Sequence, residues 1–201
     1  SATDSILLPV MLLDSGRVVI QGKDVLLDLG AVVKGYTADR FSRILDSLGF
    51  PDHMIMVGGE VRVAGTKPEG LWRVGVMHPR AKGVLAGVIS APGGFNISTS
   101  GDYERFFIRD GKRYHHIFDP RNGYPAREYC SVTVLARAGM VSDALSTSLF
   151  VLGPLASRSL RDYYQVDAVW LKETDTGLCA IMTDGLAGLL ELDADIRLCG
   201  P

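Results

Sequence analysis

The sequence predicts a single α+β domain over its 201 residues, built of mixed or antiparallel strands with about three helices. Three observations carry this. Strand-like runs are numerous and grouped, three segments switch to a helical period, and the regular strand–helix alternation of a doubly wound sheet is missing. With 47% apolar and 22% charged residues, the chain can bury one sizeable core and has no disordered composition.

Residues 7–29 read as extended, with turns at Asp14 to Gly16 and Gln21 to Asp24 between the β-rich runs Arg17 to Ile20 and Val25 to Leu29. The period then changes. Tyr36, Phe41, Ile44, Leu45 and Leu48 fall near helical spacing, so a helix is expected from Lys34 to Leu48, stopped by Gly49 to Pro51. Met54 to Val57 and Val61 to Ala64 are short apolar strands joined through Gly58, Gly59 and Glu60. Strands follow at Leu71 to Met77 and Val84 to Ser90. Phe106 to Arg109 and Lys112 to Phe118 flank Asp110 and Gly111, the signature of a hairpin with a type I′ turn. Two prolines and a glycine argue against regular structure between Asp119 and Pro125. After a strand at Cys130 to Leu135, a helix carrying Asp143, Leu145, Leu149 and Phe150 ends at Gly153 and Pro154. The proline opens a further helix to Tyr164. Strands at Asp167 to Glu173 and Leu178 to Met182 are expected to finish the fold.

Twenty-three acidic residues against 21 Lys and Arg give a formal charge of −2, so no global field draws the chain to nucleic acid or to an anionic membrane. An anionic ligand must be held by local groups. Cys130, Cys179 and Cys199 have neither metal-ligand spacing nor the density of a disulfide framework, and are expected to be small buried side chains. No apolar run reaches the ~20 residues of a membrane span, and Ser1 to Ser5 lack the layout of a secretion signal. A soluble chain is expected.

Four segments can carry chemistry. Asp28 to Gly35 is a strand end, a glycine-permitted turn and a helix start bearing Lys34, a place for phosphate oxygens; an ordinary strand-to-helix turn is the competing reading. Gly58 and Gly59 permit close backbone approach and Glu60 can accept hydrogen bonds from a ribose or a heterocycle, unless the three simply form a hairpin turn. Thr99, Ser100, Gly101 and Asp102 cluster small polar groups suited to phosphate or polar ring edges, or to a local side-chain turn. His115 and His116 point to opposite sides of a strand and cannot readily share one metal; one is expected to face a site and the other to be solvated or bound to a carbonyl. Most telling is Ser142 to Thr147. Asp143 and Thr147 stand at i and i+4 on one helix face, hard oxygen donors of the kind Mg²⁺ accepts, although an acidic residue near a helix N-terminus can also serve only the dipole.

Five segments in order, DLGAVVKGYTADR, VGGEVRVAGTKPEGLWRVGVMHPR, STSGDYERFFIRDGKRYHHIFDPRNGYP, SVTVLA and SDALSTSLFVLGP, resemble the ApbE family of flavin transferases from Asp28 to about Pro154. The resemblance implies an α+β domain around a flavin cleft, with FAD as substrate and Mg²⁺ held by Asp143, Thr147 and the main-chain carbonyl of Ala31. Lys34, Gly58, Gly59, Glu60, Thr99, Ser100, Gly101 and Asp102 fall at cofactor-facing positions, and His116 and Asp119 match the family's catalytic His and Asp. The implied reaction is transfer of FMN from FAD to a threonine hydroxyl of a partner protein, with AMP released. The implied partners are flavin-acceptor subunits of the sodium-pumping NADH:quinone reductase or an RNF-type complex. The implied location is the bacterial periplasm, or a lipoprotein anchor at the inner membrane. Metal-dependent FAD pyrophosphatase activity and a non-catalytic FAD-binding module are the alternatives. With 27 residues before Asp28, the chain is expected to lack the family's N-terminal portion.

Overall fold

The computed structural model describes residues 10–12, 16–20 and 26–200. Strands β1 (Val10–Leu12) and β2 (Val18–Ile20) pair as a small antiparallel ribbon. The turns expected at Asp14 to Gly16 and Gln21 to Asp24 lie wholly or largely outside the described residues. The expected strand ending at Leu29 is not formed: residues 26–29 are irregular and exposed, and Leu29 instead receives the amides of Val32 and Val33 as the chain turns into a helix.

That helix is α1 (Val33–Ser47), followed by strands β3 (His53–Val57), β4 (Glu60–Ala64), β5 (Trp72–Met77), β6 (Leu85–Ala91) and β7 (Phe95–Gly101). β8 (Phe106–Arg109) and β9 (Lys112–His115) form the expected hairpin, with positive φ at both Asp110 and Gly111 as a type I′ turn requires. The proline-punctuated segment carries one short antiparallel pair, β10 (Phe118–Asp119) and β11 (Tyr124–Pro125), because its turn is tight enough for the flanks to meet. β12 (Ser131–Ala136) leads into α2 (Gly139–Ala156), broken where expected: Gly153, at φ 72° and ψ 176°, interrupts the helix before Pro154. α3 (Arg158–Tyr164), β13 (Asp167–Thr174) and β14 (Gly177–Met182) follow. The chain does not finish there. A 3₁₀ turn at Asp184–Leu186 precedes β15 (Leu190–Leu192) and β16 (Arg197–Leu198).

Among the described residues, seven strands make the main sheet in the order β16-β14-β13-β12-β7-β4-β3, antiparallel throughout except where β14 meets β16. Strand alternation sends Val61, Val63, Ile97, Val169 and Leu171 to one face, packed against the second sheet β15-β6-β5, and Val132, Val134, Ala168 and Trp170 to the other, packed against α2. By length and composition α2 could cross a membrane, yet Leu145, Leu149 and Phe150 bury it on the sheet, and the Trp170 indole donates to Leu149 O at 3.0 Å.

α1 reverses the usual polarity of a packed amphipathic helix. Tyr36, Phe41, Ile44 and Leu48 are exposed, while Gly35, Ala38 and Ser42 are buried. Small residues face inward because α1 crosses α2 at backbone contact: a Cβ on Gly35 would lie 2.0 Å from Gly139 O.

Two cysteines also depart from expectation. Cys179 and Cys199 form a disulfide, because β16 returns alongside β14, a proximity that spacing cannot reveal; Cys130 is the buried free thiol. The bridge closes a loop of sequence separation 20, worth ~3 kcal/mol in the chain-entropy model. Cys199→Ser is therefore expected to melt about 6–12 °C lower, and dithiothreitol should shift the wild type equally while leaving the variant unmoved.

Candidate active site

The turn before α1 is closed by its own aspartate: Asp28 Oδ1 accepts the Gly30 amide at 2.7 Å. This leaves Gly30 O free to accept the Lys34 ammonium at 3.0 Å. The same ammonium donates to Asp143 Oδ1 at 2.6 Å, while Asp143 Oδ2 accepts the Gly35 amide at 3.1 Å. Asp143 is 2% exposed, and a buried carboxylate is tolerable only with partners of this kind. Ala31 is the next residue of the turn; the carbonyl that shares a cation with Asp143 belongs to Gly30.

One turn further along α2, Thr147 Oγ1 lies 3.1 Å from Ser100 Oγ, which is also 2.8 Å from Ser146 Oγ. The Gly30 carbonyl and the Asp143 carboxylate are oxygen donors around a cation position that Lys34 fills with its ammonium, and Thr147 adds a hydroxyl one turn further along the same face of α2. This fits a hard divalent ion completed by water and phosphate. Among the described residues no cluster of three or more His, Cys, Asp or Glu side chains offers an alternative metal cage.

Gly58 and Gly59, at φ 53° and 93°, form the turn between β3 and β4. The close approach at Gly58 is made by Lys34, whose Cδ would lie 3.3 Å from an added Cβ. Glu60 does not line a cleft. It is fully buried between sheet and helix, accepting hydrogen bonds from the Ser98 hydroxyl and, at 3.0 Å, from the Ser142 hydroxyl. Burial pushes its carboxyl up to about 8, against the lowering effect of both hydroxyls.

The polar run at 99–102 is the end of β7, and strand alternation divides it. Ser98 and Ser100 face α2, whereas Thr99 turns the other way to meet Thr133 Oγ1 at 2.8 Å. Gly101 lies beneath the Tyr103 ring. Asp102 is held by Arg80 through two bonds of 2.7 and 2.8 Å, with the Arg113 guanidinium 3.9 Å away, so it stabilises the strand end and is not open to an anionic ligand. The two histidines diverge as alternation requires. His115 is buried edge-on to Phe150, 2.6 Å from Ala126 O, and burial lowers its pKa; His116 is exposed. Asp119 accepts the Arg121 amide and guanidinium at 2.7–3.1 Å, which hold it below the usual carboxylate range, and Arg121 reaches Val151 O at 3.5 Å. Val151 lies four residues beyond Thr147, so this loop packs along the helix that carries Asp143 and Thr147.

A family model described as the ApbE family matches residues 4–170. The chain belongs to the ApbE family. It is 35% identical over 156 residues to an FAD:protein FMN transferase of Vibrio cholerae, covering 77% of this chain and 47% of that protein. To one of Rhodobacter capsulatus it is 43% identical over 129 residues, covering 64% and 24%. Among solved structures it superimposes on the ApbE protein of Thermotoga maritima with a TM-score of 0.78 at 34% identity, covering 90% of this chain and 58% of that one. On the flavin transferase ApbE of Vibrio cholerae the TM-score is 0.76 at 29% identity, covering 90% and 57%. The chain thus spans about half the length of the curated relatives it matches.

In this ApbE-family chain several site residues were not singled out from sequence. Asp28 closes the turn, Ser98 and Ser142 hold Glu60, and Ser146 pairs with Ser100, the singled-out serine that also reaches Thr147. A usable signal was present in Gly35 and Asp39 on α1 and Gly139 and Asp143 on α2, the same residue pair at the same spacing.

Proposed function

We propose that this chain transfers the FMN half of FAD to a threonine hydroxyl of a partner protein and releases AMP, using Mg²⁺ held by Asp143, Thr147 and a main-chain carbonyl of the Gly30–Ala31 turn. The observation that carries this reading is the Lys34 ammonium seated between Gly30 O and Asp143 Oδ1, a cation held where hard oxygen donors converge. Mg²⁺ when bound offsets charge on the attacked phosphoryl group and on the departing phosphate. Lys34, at the N-terminal turn of α1, adds a point charge for a pyrophosphate oxygen. His116 is solvent-exposed, three residues before Asp119, and free to take the proton of the incoming hydroxyl, while Asp119 holds Arg121, which reaches α2 at Val151 O. The hydroxyl oxygen bonds to the FMN phosphorus, the bond from that phosphorus to the AMP phosphate oxygen breaks, and His116 holds the proton released.

The names of the curated relatives support this chemistry, and flavin-acceptor subunits of the sodium-pumping NADH:quinone reductase or RNF-type complexes are the proposed partners. The Cys179–Cys199 disulfide supports an oxidising compartment, in line with a periplasmic location. Incubation with FAD, Mg²⁺ and an acceptor should give a covalent FMN adduct by mass spectrometry. The exposure of His116 also suits attack by water, which yields FMN and AMP without acceptor. AMP formed at the same rate with and without every acceptor, and no adduct, would favour the pyrophosphatase.

A further inference from the structure

The two helices that frame the cation position begin without side-chain caps of their own. The N-cap residues are Val32 for α1 and Ala138 for α2, and neither makes a capping hydrogen bond. Amides in an uncapped first turn need other partners. Each helix here supplies one to the other. Asp143 of α2 accepts the Gly35 amide of α1 at 3.1 Å, and Asp39 of α1 accepts the Gly139 amide of α2 at 2.8 Å. Both aspartates stand four residues beyond the glycine of their own helix, and so one turn along the same face. The glycines are the contact itself: a Cβ on Gly35 would lie 2.0 Å from Gly139 O, and one on Gly139 would lie 2.4 Å from Gly35 O. The crossing is therefore a reciprocal pair, Gly35 with Asp39 against Gly139 with Asp143, in which each carboxylate caps the opposite helix.

We infer that Asp39 is a positioning residue for the divalent-ion site: by capping α2 it fixes the height and rotation of that helix on α1, and with them the direction of Asp143. The inference rests on the reading that Asp143 holds the ion. Asp143 commits one oxygen to the Gly35 amide and turns the other to the cation position, where Lys34 now meets it. That division holds only while the two helix starts stay in register. Without Asp39 the buried Gly139 amide loses a charge-assisted partner at the very start of α2, one turn before Asp143. Ser142, next to Asp143, is tied to the same first turn through its hydrogen bond to Gly139 O at 3.0 Å, so a displaced Gly139 carries the metal-facing turn with it.

The test uses Mn²⁺ as the probe, with affinity for the whole protein read by electron paramagnetic resonance without FAD, beside a thermal melt of each variant. Asp39→Ala, still folded at the assay temperature, should bind Mn²⁺ at least tenfold more weakly. Asp39→Asn keeps an oxygen for the Gly139 amide and should stay within about threefold of wild type. Asp39→Ser, whose hydroxyl falls short of the amide, carries the alanine expectation should that variant prove too unstable to purify. Wild-type Mn²⁺ affinity in folded Asp39→Ala or Asp39→Ser would overturn the inference, leaving Asp39 a cap and nothing more. Equal losses in the asparagine and alanine variants would also overturn it, since they would report the charge of Asp39 and not its hydrogen bond. Unchanged Mn²⁺ binding in Asp143→Ala would show that the metal reading itself had failed, and the inference with it.

Discussion

Asp143→Ala is expected to cut Mg²⁺-dependent FMN transfer by more than the roughly 10- to 100-fold that loss of a supporting contact costs a metal site. The side chain is the one carboxylate among the proposed donors, and water cannot replace its charge. Stability should fall too, for a reason that helix position alone does not give. A carboxylate placed only to complement a helix dipole contributes about 1 kcal/mol at most on an exposed surface. Asp143, however, sits in the second turn of α2 and reaches across to α1, so its removal strands the buried Gly35 amide at a cost of ~1–3 kcal/mol. Lys34 suffers less, because its side chain is 33% exposed and water can solvate it. Asp143→Asn separates the two effects. It keeps an oxygen for the Gly35 amide, hence most of the stability, and loses the charge a hard cation prefers. Thr147→Val should be milder than either, since a magnesium ion that normally retains several waters can substitute one for a neutral hydroxyl. Activity against Mg²⁺ concentration, with a melt for each variant, decides the matter: full activity in Asp143→Ala at ordinary Mg²⁺ would refute the metal site.

The parts of this site that were legible in the sequence are those fixed by local spacing. The i, i+4 relation of Asp143 and Thr147 follows from helical period, the opposed histidines from strand alternation, and the Asp110–Gly111 turn from its need for two positive φ values. What stayed hidden depends on contacts between segments distant in the chain. The apolar period of α1 identified a helix but not its inner face: Tyr36, Phe41 and Ile44 are exposed, and the crossing with α2 demands Gly35 and Ala38 inside. The polar run from Thr99 to Asp102 read as one cluster because its strand had not been followed through Gly101; once it is, only alternate residues face α2. Glu60 showed the same limit. Its neighbours in sequence are turn glycines, which suggested an exposed group, while its partners in space are serines of β7 and α2. The disulfide was missed for the same reason, since Cys199 reaches Cys179 only through a parallel strand added after the last one expected.

Stability of the fold is expected to decline as pH rises from 4.5 toward 8, with Glu60 as the largest single cause. The ordinary value for this carboxyl is 4.5, and burial raises it to about 8 even though hydrogen bonds from Ser98 and Ser142 and the charge of Lys34 oppose the shift; Asp143 nearby adds to it. Desolvation wins because the group has no exposure at all. Its surroundings also satisfy the neutral form. Ionised, Glu60 accepts from both hydroxyls; protonated, it can instead donate to Ser142 Oγ, whose one hydrogen then goes to Gly139 O at 3.0 Å, while Ser98 still donates to the other carboxyl oxygen. A group whose value is raised on folding contributes fully below its unfolded value and loses that contribution as pH climbs through the folded one. The interval from 4.5 to about 8, at about 1.4 kcal/mol per pH unit, sets an upper figure on the order of 5 kcal/mol. Glu60→Gln tests this directly. The amide has the same shape, can donate to Ser142 and accept from Ser98, and does not titrate. Its urea-unfolding free energy should match the wild type within about 1 kcal/mol at pH 5 and exceed it by a few kcal/mol at pH 9. Profiles that run parallel across that range would mean that Glu60 is already ionised in the folded protein at pH 5, and that the serine network carries a negative charge near Asp143 from pH 5 to 9.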